Sequence, residues 1–318
     1  MLEAHIKEEL LENPLAILRS EAVFLALKSL WLNNHRQVTE PQKFVDEFLA
    51  YLKTADGTRP AEIAKYLKKK LAEYAIDDLS SEYPGDMFYE LIKGDISGAK
   101  TILDFGCGKL AFLKNIAEKE KNIGKFVGID AWSQPVLEDI DQRIVFSRNL
   151  DNIPDNSVDL VTVKLVLHHL ESDEAIIEVF KDIKRVLKSG GEMIIFEESF
   201  PEIKVDPSAS SAADSARDDK IKNTKKYLEK FDFELAEDAT REFLELSEED
   251  KINYLYLNDW LMNLKNKYMP WALQYKSMEE WERLAEAVGF KRVESHFIGA
   301  VAKRKRRQGM TAVLKFIK

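Results

Sequence analysis

The sequence lacks several features that would restrict its class. It has one cysteine, Cys107, which excludes an internal disulfide and so implies no oxidising compartment. No stretch reaches the ~18 apolar residues of a membrane span, and the start lacks a basic segment followed by an apolar run. We therefore expect a cytoplasmic protein with no membrane partner.

The sequence also has fewer positively charged than negatively charged residues. Lysine and arginine number 47 against 56 aspartates and glutamates, a net charge of −9. Such an acidic chain is a poor candidate for binding polyanions over its whole surface, although a local basic patch stays open. With 45% apolar and 32% charged residues among 318, the composition is that of a globular protein that buries a sizeable core.

The chain changes character along its length. Over residues 1–99, apolar residues recur at helical spacing, which predicts an N-terminal accessory domain of roughly four or five helices. From Thr101 onward, short apolar runs alternate with amphipathic segments, which predicts an α/β core over 100–203 with a mostly parallel sheet covered on both faces. A helical lid insertion over 204–276 follows, and residues 277–318 complete the core sheet.

Turn and capping residues define the predicted elements of the second half. Ser247 predicts the start of one helix, and Gly289 predicts the end of another. The predicted elements are a mobile loop over 206–213, helices over about 218–235, 248–268 and 278–288, and strands over 292–298 and 311–317.

The segment 102–111, with the sequence ILDFGCGKLA, predicts a strand, a glycine turn and a helix. Its glycines let a ligand approach the backbone, and Asp130 at the end of the next strand suits the two hydroxyls of a ribose, so a nucleoside site is predicted. The loose G-x-G-x-x-A pattern also fits NAD enzymes. However, Asp104 places a carboxylate at the turn, which disfavours a pyrophosphate and favours an amino group or sulfonium.

Four sequence blocks in this order resemble those of the class I S-adenosylmethionine-dependent methyltransferases. They are DFGCG at 104–108, GID at 128–130, IPDNSVDL with LHHL at 153–160 and 167–170, and VLKSGGE at 186–192. The resemblance covers about 101–200 and the terminal strand pair. It implies a Rossmann-like, seven-stranded, mostly parallel sheet and S-adenosyl-L-methionine as the cofactor.

The resemblance also implies which residues surround the cofactor. Asp104, Gly106 and Gly108 would lie at its methionine part, Asp130 at the ribose, and Ala131 and Trp132 beside the adenine. Asn149 stands where the family often has an acid for the adenine amino group. The full implied set is Asp104, Gly106, Cys107, Gly108, Asp130, Ala131, Trp132, Asn149, Leu150 and Lys164.

Methyl transfer from a sulfonium mainly requires alignment and exclusion of water, and a base is needed only when the acceptor must lose a proton. His168, His169 and Glu197 are candidate catalytic residues because they follow the fourth strand or close the fifth, at the ligand-binding edge. The alternative interpretation is that the histidines pack and hydrogen-bond behind the site. No metal site is predicted.

Two features outside the shared core bear on the acceptor. The insertion is rich in aromatic residues, and Tyr254, Trp260 and Trp271 are candidate substrate-binding residues that suit a ring or an alkylated amine. The same rings would equally fit packing against the N-terminal helices. The basic run 303–307, which contains Arg304, suits a phosphate, carboxylate or RNA backbone, with a solvated turn as the alternative.

The leading hypothesis is a methyltransferase acting on a small-molecule or natural-product-like acceptor, anionic or aromatic in character. One alternative is an RNA or protein methyltransferase guided by the basic run. Nucleic acid is less favoured, because residues 164–167 stand where enzymes that methylate base amino groups carry an Asn/Asp-Pro-Pro-aromatic signature. A non-catalytic scaffold subunit is the other alternative, and the intact glycine turn with Asp130 weighs against it.

Overall fold

A computed structural model of the chain describes residues 13–34, 40–55, 60–74, 85–132, 135, 138, 140–203, 210–263, 272, 274–302 and 309–318. The chain divides into two compact units, each assembled from three stretches. The first unit comprises Met1–Glu82, Glu202–Tyr275 and Ile298–Thr311. The second unit comprises Tyr83–Pro201, Lys276–Phe297 and Ala312–Lys318.

The described residues form ten α-helices, ten strands and two short 3₁₀ helices at Pro14–Arg19 and Leu167–His169. The α-helices are α1 Glu21–Asn34, α2 Pro41–Thr54, α3 Pro60–Glu73, α4 Gly85–Ile96, α5 Ala111–Lys119, α6 Asp173–Val186, α7 Ser210–Glu229, α8 Glu237–Glu245, α9 Glu248–Met262 and α10 Met278–Ala287. The strands are β1 Thr101–Phe105, β2 Lys125–Ile129, β3 Ile144–Ser147, β4 Val158–Lys164, β5 Leu187–Phe200, β6 Glu234–Leu235, β7 Lys276–Ser277, β8 Lys291–Gly299, β9 Val301–Ala302 and β10 Thr311–Ile317.

The second unit is built on one α/β sheet in the order β3-β2-β1-β4-β5-β10-β8. The strands from β3 to β5 pair in parallel, so their carboxyl ends meet at one edge. Helices cover both faces of the sheet, which explains why Ile102, Leu103, Val161 and Val163 are fully buried in near-continuous apolar runs. The predicted Rossmann-like, mostly parallel α/β fold is confirmed.

The predicted number of seven strands is wrong, because the sheet has eight. The additional strand is β7, two residues long, which pairs in parallel with the end of β5. Its backbone is fixed there by the Ser199 hydroxyl, which donates to the carbonyl of Lys276 at 2.8 Å. A strand of two residues has no periodicity that a sequence pattern could reveal.

The first unit is mainly helical. Helix α1 packs against α2, α8, α9 and the first 3₁₀ helix, and its residues Leu27, Leu30 and Trp31 are buried. Trp31 stacks on Phe48 of α2 with ring centroids 4.8 Å apart. The short strands β6 and β9 form an antiparallel pair within this unit.

Capping residues correctly mark the start of α9 and the end of α10, whereas the helix predicted over 218–235 ends at Glu229 and residues Glu234–Leu235 form β6. Ser247 accepts a hydrogen bond from Asp250 N at 3.1 Å at the start of α9, and Gly289 follows α10 with φ +87°. Helix α7, however, begins at Ser210, so the loop predicted over 206–213 is wrong for its last four residues. Two of these are alanines, which favour helix more than any other residue.

The remaining parts of those predictions, residues 206–209 and 264–268, lie outside the described residues. Helix α4 falls in the second unit although it was predicted within the accessory domain over 1–99. The division of the sequence into four domains stays a prediction. Among the helices that the structure describes, none is both long and apolar enough to cross a membrane.

Candidate functional site

The predicted glycine turn lies at the carboxyl end of β1. Gly106 and Cys107 donate their N–H groups to the carbonyl of Ile129, at 2.8 and 3.0 Å, so the turn is fastened to the end of β2. Gly106 has φ +76°, and a Cβ atom added there would lie 2.5 Å from Cγ2 of Val166. Only glycine fits this position, for both reasons.

Asp130 connects the two loops that follow β1 and β2. Its Oδ2 accepts from Gly108 N at 2.9 Å, and its Oδ1 accepts from Trp132 N at 3.0 Å. An ionised carboxylate has about four acceptor positions, so both oxygens can accept additional hydrogen bonds from ribose hydroxyls. Gly108 has φ +52° and open space within 4 Å of its absent Cβ, which leaves room for a ligand against the backbone.

Asp104, near the end of β1, is 1% exposed. Burial raises its pKa to about 6, against the opposing effects of the Lys164 ammonium and of a hydrogen bond from Thr162. The Thr162 hydroxyl donates to Oδ1 at 2.8 Å. Lys164 is also buried, and burial lowers its pKa while Asp104 and Glu197 oppose that shift. The carboxyl ends of β1 and β4 thus hold opposite charges out of water.

Leu110 and Gly128 show how tightly the turn is packed. Leu110 adopts φ +65° where α5 begins and is fully buried. A Cβ atom at Gly128 would lie 2.4 Å from Leu110 Cδ2 and 2.8 Å from Cys107 Sγ. Burial, followed by the nearby Asp104 and Asp130 carboxylates, raises the pKa of the Cys107 thiol.

The residues predicted beside the adenine lie at the surface after β2. Trp132 is 54% exposed, and the carbonyl of its neighbour Ala131 accepts from Arg148 Nη1 at 3.1 Å. The guanidinium of Arg148 also lies over the Phe146 ring, 5.4 Å from its centroid. The Arg148 contact joins the segments that follow β2 and β3, next in sequence to the exposed Trp132.

Asn149 and Leu150 occupy the turn after β3. Asn149 is exposed, and its Oδ1 accepts from Asp151 N at 3.2 Å, which closes a local turn. Leu150 is buried, and its carbonyl accepts from Arg185 Nη2 at 2.9 Å. The cofactor-binding roles of both residues stay predictions.

Glu197, on β5, has no exposed surface. Its Oε2 accepts from Val166 N and Leu167 N at 3.0 and 2.9 Å, and its Oε1 accepts from Glu198 N at 2.9 Å. Oε1 also lies 2.6 Å from Nδ1 of His168. Burial alone would raise the pKa of Glu197, but His168 and the backbone donors outweigh it and hold the pKa below its usual value.

His168 and His169 lie on the second 3₁₀ helix and are 2% and 5% exposed. Their ring centroids are 4.0 Å apart, with the planes tilted by 55°. The structure therefore brings His168 to Glu197 and packs His169 against His168 at a tilted angle. Their catalytic roles stay predictions.

The aromatic residues predicted to bind the acceptor belong to the first unit. Tyr254 and Trp260, on α9, are buried at 0% and 7% exposure, and Tyr254 packs on Phe243 with ring centroids 4.9 Å apart. Trp271 and Arg304 lie outside the described residues. All four substrate-binding roles stay predictions.

Two residues at the site were missed from the sequence. Thr162 is the hydrogen-bond donor to Asp104, and Val166 is the residue that requires glycine at position 106. The available signal for Thr162 was its hydroxyl within the otherwise apolar stretch Leu160–Val163. Its partner Asp104 could not be inferred, because neither strand's sequence indicates the register in which β1 pairs with β4.

The residues present fit S-adenosylmethionine. Among the residues that the structure describes at this edge, the Asp104, Asp130 and Glu197 carboxyl groups lie with one buried ammonium, that of Lys164, so the edge favours a cationic ligand. The open backbone at Gly108 and the acceptor positions of Asp130 suit a nucleoside without phosphates.

Comparison with known families identifies one domain of the chain. Residues 103–195 match the family model of a methyltransferase domain. Residues 103–195 are therefore a methyltransferase domain, consistent with the class I S-adenosylmethionine-dependent methyltransferases. For this methyltransferase, the predicted enzyme class and the predicted cofactor, S-adenosyl-L-methionine, are confirmed. No curated protein matches its sequence.

Solved structures with a similar fold include three methyltransferases. An S-adenosylmethionine-dependent methyltransferase from Mesorhizobium loti is 14% identical, with 76% of this chain and 100% of that chain covered and a TM-score of 0.42. A second one, from Archaeoglobus fulgidus, is 13% identical, with 80% of this chain and 100% of that chain covered and a TM-score of 0.42. Human N-acetylserotonin methyltransferase, in complex with S-adenosylmethionine, is 16% identical, with 74% and 51% covered and a TM-score of 0.42. Similarities this distant carry nothing about the acceptor.

Proposed function

We propose that this methyltransferase acts on a small-molecule, natural-product-like acceptor whose proton is removed by His168. The observation that carries the proposal is the 2.6 Å contact between His168 Nδ1 and the buried Glu197 carboxylate. When bound, S-adenosylmethionine supplies a methyl group activated at its sulfonium. The residues of the chain then have to hold the acceptor, exclude water and accept its proton.

Glu197 supports His168 as a general base. The pKa of Glu197 lies below its usual value, so the carboxylate is ionised near neutral pH and accepts a hydrogen bond from His168 Nδ1–H. The neutral imidazole then has its lone pair on Nε2, the nitrogen that would take a proton. The same carboxylate stabilises the imidazolium after the transfer. Because its oxygens contact three backbone N–H groups and His168, we propose Glu197 as a positioning residue.

The overall charge supports a small acceptor over a nucleic acid. The chain carries a net charge of −9, which repels a polyanion at long range. A scaffold without catalysis would need neither an ionised buried Glu197 nor the carboxylates at Asp104 and Asp130, since each costs desolvation free energy. An aromatic or anionic character of the acceptor remains our prediction.

The test is turnover of a panel of hydroxylated aromatic compounds and small carboxylic acids, with bulk RNA as a separate arm, by the parent and by His168→Gln. We expect His168→Gln to lower kcat by roughly 10²–10⁴-fold and to abolish the acidic limb of the pH profile, with an unchanged Kd for S-adenosylmethionine. His296→Gln is the matched control, because His296 lies 3.0 Å from Glu294, a residue outside this network.

Equal kcat values for the parent and His168→Gln would exclude His168 as the base. Methylation of RNA with a steep dependence on salt, and of none of the small compounds, would replace the small-molecule acceptor with nucleic acid.

A further inference from the structure

The first unit contains a cavity that has no part in the methyl transfer described above. Its volume is about 280 Å³, and it is lined by residues from the last turns of α1 and from the first turns of α2 and α8. We propose that this cavity binds a small organic cation, a primary ammonium group on a short alkyl chain. The inference goes beyond the proposed methyl transfer and does not depend on it.

Asn33, in the last turn of α1, brings a hydrogen-bond acceptor to the cavity wall. Its side chain is 7% exposed, and its Nδ2 donates to the carbonyl of Val301 at 3.4 Å. This bond fixes the orientation of the amide, because a carbonyl accepts only from the NH₂ group. The buried Oδ1 then has no donor among the residues that the structure describes, so a ligand N–H group that reaches it is favoured.

Asp238, in the first turn of α8, gives the cavity wall a negative charge. Its neighbour Glu237 forms an ion pair with Lys225, whereas Asp238 forms none with any residue that the structure describes. A carboxylate at the wall of a cavity attracts a cation and accepts charge-assisted hydrogen bonds from it.

A second carboxylate, that of Glu242, follows Asp238 at a spacing of four residues and so lies on the same side of α8. Burial raises the pKa of Glu242 against a hydrogen bond from Ser29, and the charge of Asp238 raises it further. Ser29 itself lines the cavity. A cation bound there would reduce the repulsion between the two carboxylates.

The helix ends around the cavity do not reverse this preference. Two helix N-termini would by themselves favour an anion. However, α2 begins with Pro41, which has no N–H group to donate, and the first turn of α8 carries two acidic residues. The end of α1 adds the negative partial charge of a helix C-terminus.

The size and the rest of the wall limit the ligand to a short chain. The volume of about 280 Å³ lies just below the roughly 300–1,000 Å³ of typical small-molecule sites. Leu32, Pro41 and Ala239 supply the apolar part of the wall. A short alkyl chain can contact these side chains while its ammonium group reaches Asn33 and Asp238.

The experiment measures the heat of binding and the melting temperature with three separate probes: butylammonium, butyrate and tetramethylammonium. Saturating S-adenosylmethionine is present throughout, so that the carboxylates near the glycine turn do not bind the probes. We expect saturable binding of butylammonium and a raised melting temperature. Butyrate, which has the opposite charge, and tetramethylammonium, which has no N–H donor, should bind at least tenfold more weakly.

Asp238→Asn keeps the shape of an exposed side chain, removes its charge and should weaken butylammonium binding at least tenfold. Glu237→Gln is the matched control, because it removes the same charge from the adjacent position outside the cavity wall, and it should bind within twofold of the parent. Asn33→Leu removes the buried acceptor and should also weaken binding at least tenfold. Asp238→Asn keeps the test decisive if Asn33→Leu does not fold.

Equal butylammonium affinities of Asp238→Asn and Glu237→Gln would overturn the inference, as would the lack of saturable binding to the parent, which would leave a cavity for water only. Tighter binding of butyrate than of butylammonium would also overturn it. Titration with S-adenosylmethionine alone keeps this result separate from the proposed function. Cofactor binding by every variant, together with loss of butylammonium binding in Asp238→Asn, supports the ammonium site whatever the fate of His168.

Discussion

The ends of β1 and β5 hold two buried carboxylates whose pKa values move in opposite directions. Asp104 and Glu197 are both almost inaccessible, at 1% and 0% exposure. Burial raises the pKa of Asp104 to about 6 against the opposing effects of Lys164 and the Thr162 hydroxyl, whereas His168 and the backbone N–H groups hold that of Glu197 below its usual value. Both carboxylates are buried, so the groups that face each one, rather than burial alone, decide which is a fixed anion.

This contrast gives the two residues different functions at one edge of the sheet. Asp104 changes its charge close to neutral pH and lies where a cationic ligand is expected. Glu197 stays ionised and maintains the protonation of His168 Nδ1. Removing the hydrogen-bond donors to Glu197, or the charge of Asp104, should abolish this difference between the two residues.

The largest effect is expected for Glu197→Gln. The amide turns an NH₂ group toward backbone N–H donors and removes the negative charge next to His168, so the free energy of unfolding should fall by about 3–5 kcal/mol. Urea denaturation at pH 7 measures this. A lowered carboxyl pKa stabilises the folded state above its ordinary value and loses that contribution as pH falls through the folded pKa. The acid-side loss of stability should therefore shrink in the variant. A variant as stable as the parent would show that the four donors do not stabilise the charge.

An intermediate effect is expected from pH on cofactor binding. Because a cationic ligand prefers ionised Asp104, the affinity for S-adenosylmethionine should fall as pH drops below about 6, by up to roughly tenfold per pH unit. Calorimetric titration between pH 5 and 8 measures the slope.

The control for this titration is Asp104→Asn. It should bind the cofactor about 1.5–3 kcal/mol more weakly at pH 7, with no slope near pH 6. The stability of Asp104→Asn at pH 7 should instead be higher than that of the parent. A carboxyl pKa raised from 3.8 to about 6 destabilises the folded state as pH rises through that window, by roughly 3 kcal/mol at pH 7. Asn removes that penalty. An equal slope in both proteins would assign the titration to another group.

The smallest effect is expected for Thr162→Val, which keeps the shape and removes the donor to Asp104. The pKa of Asp104 should rise further, so the midpoint of the binding curve should move to higher pH and the affinity at pH 7 should fall by about 0.5–1.5 kcal/mol. The same calorimetric titration measures both. Thr224→Val, a buried threonine of the first unit, is the matched control. A midpoint that stays in place would mean that the Thr162 hydroxyl does not stabilise ionised Asp104.

Local patterns in the sequence predicted the glycine turn, Asp130 and most strands, because those features depend on neighbouring residues. The partners of Glu197 could not be predicted, since they are backbone groups of a loop about 30 residues earlier. The donor to Asp104 was missed for the same reason, because it depends on the pairing of β1 with β4.

The assembly of the first unit also depends on contacts between residues that are distant in the sequence. Helix α1 packs against α8 and α9, which lie about 200 residues later in the chain. The aromatic and charged residues of α9 are visible in the sequence. Their burial is not, because nearly every side of this helix is covered, and an evenly covered helix has no amphipathic period to detect.

The tight packing of Cys107 has a practical consequence. The only thiol of the chain is 5% exposed and has a raised pKa, so little thiolate is present at neutral pH and reagents cannot reach it in the closed turn. Alkylation therefore requires the turn to open, and its rate reports how often this occurs. The alkylation rate of the native thiol therefore measures the opening of the glycine turn, and no engineered label is needed.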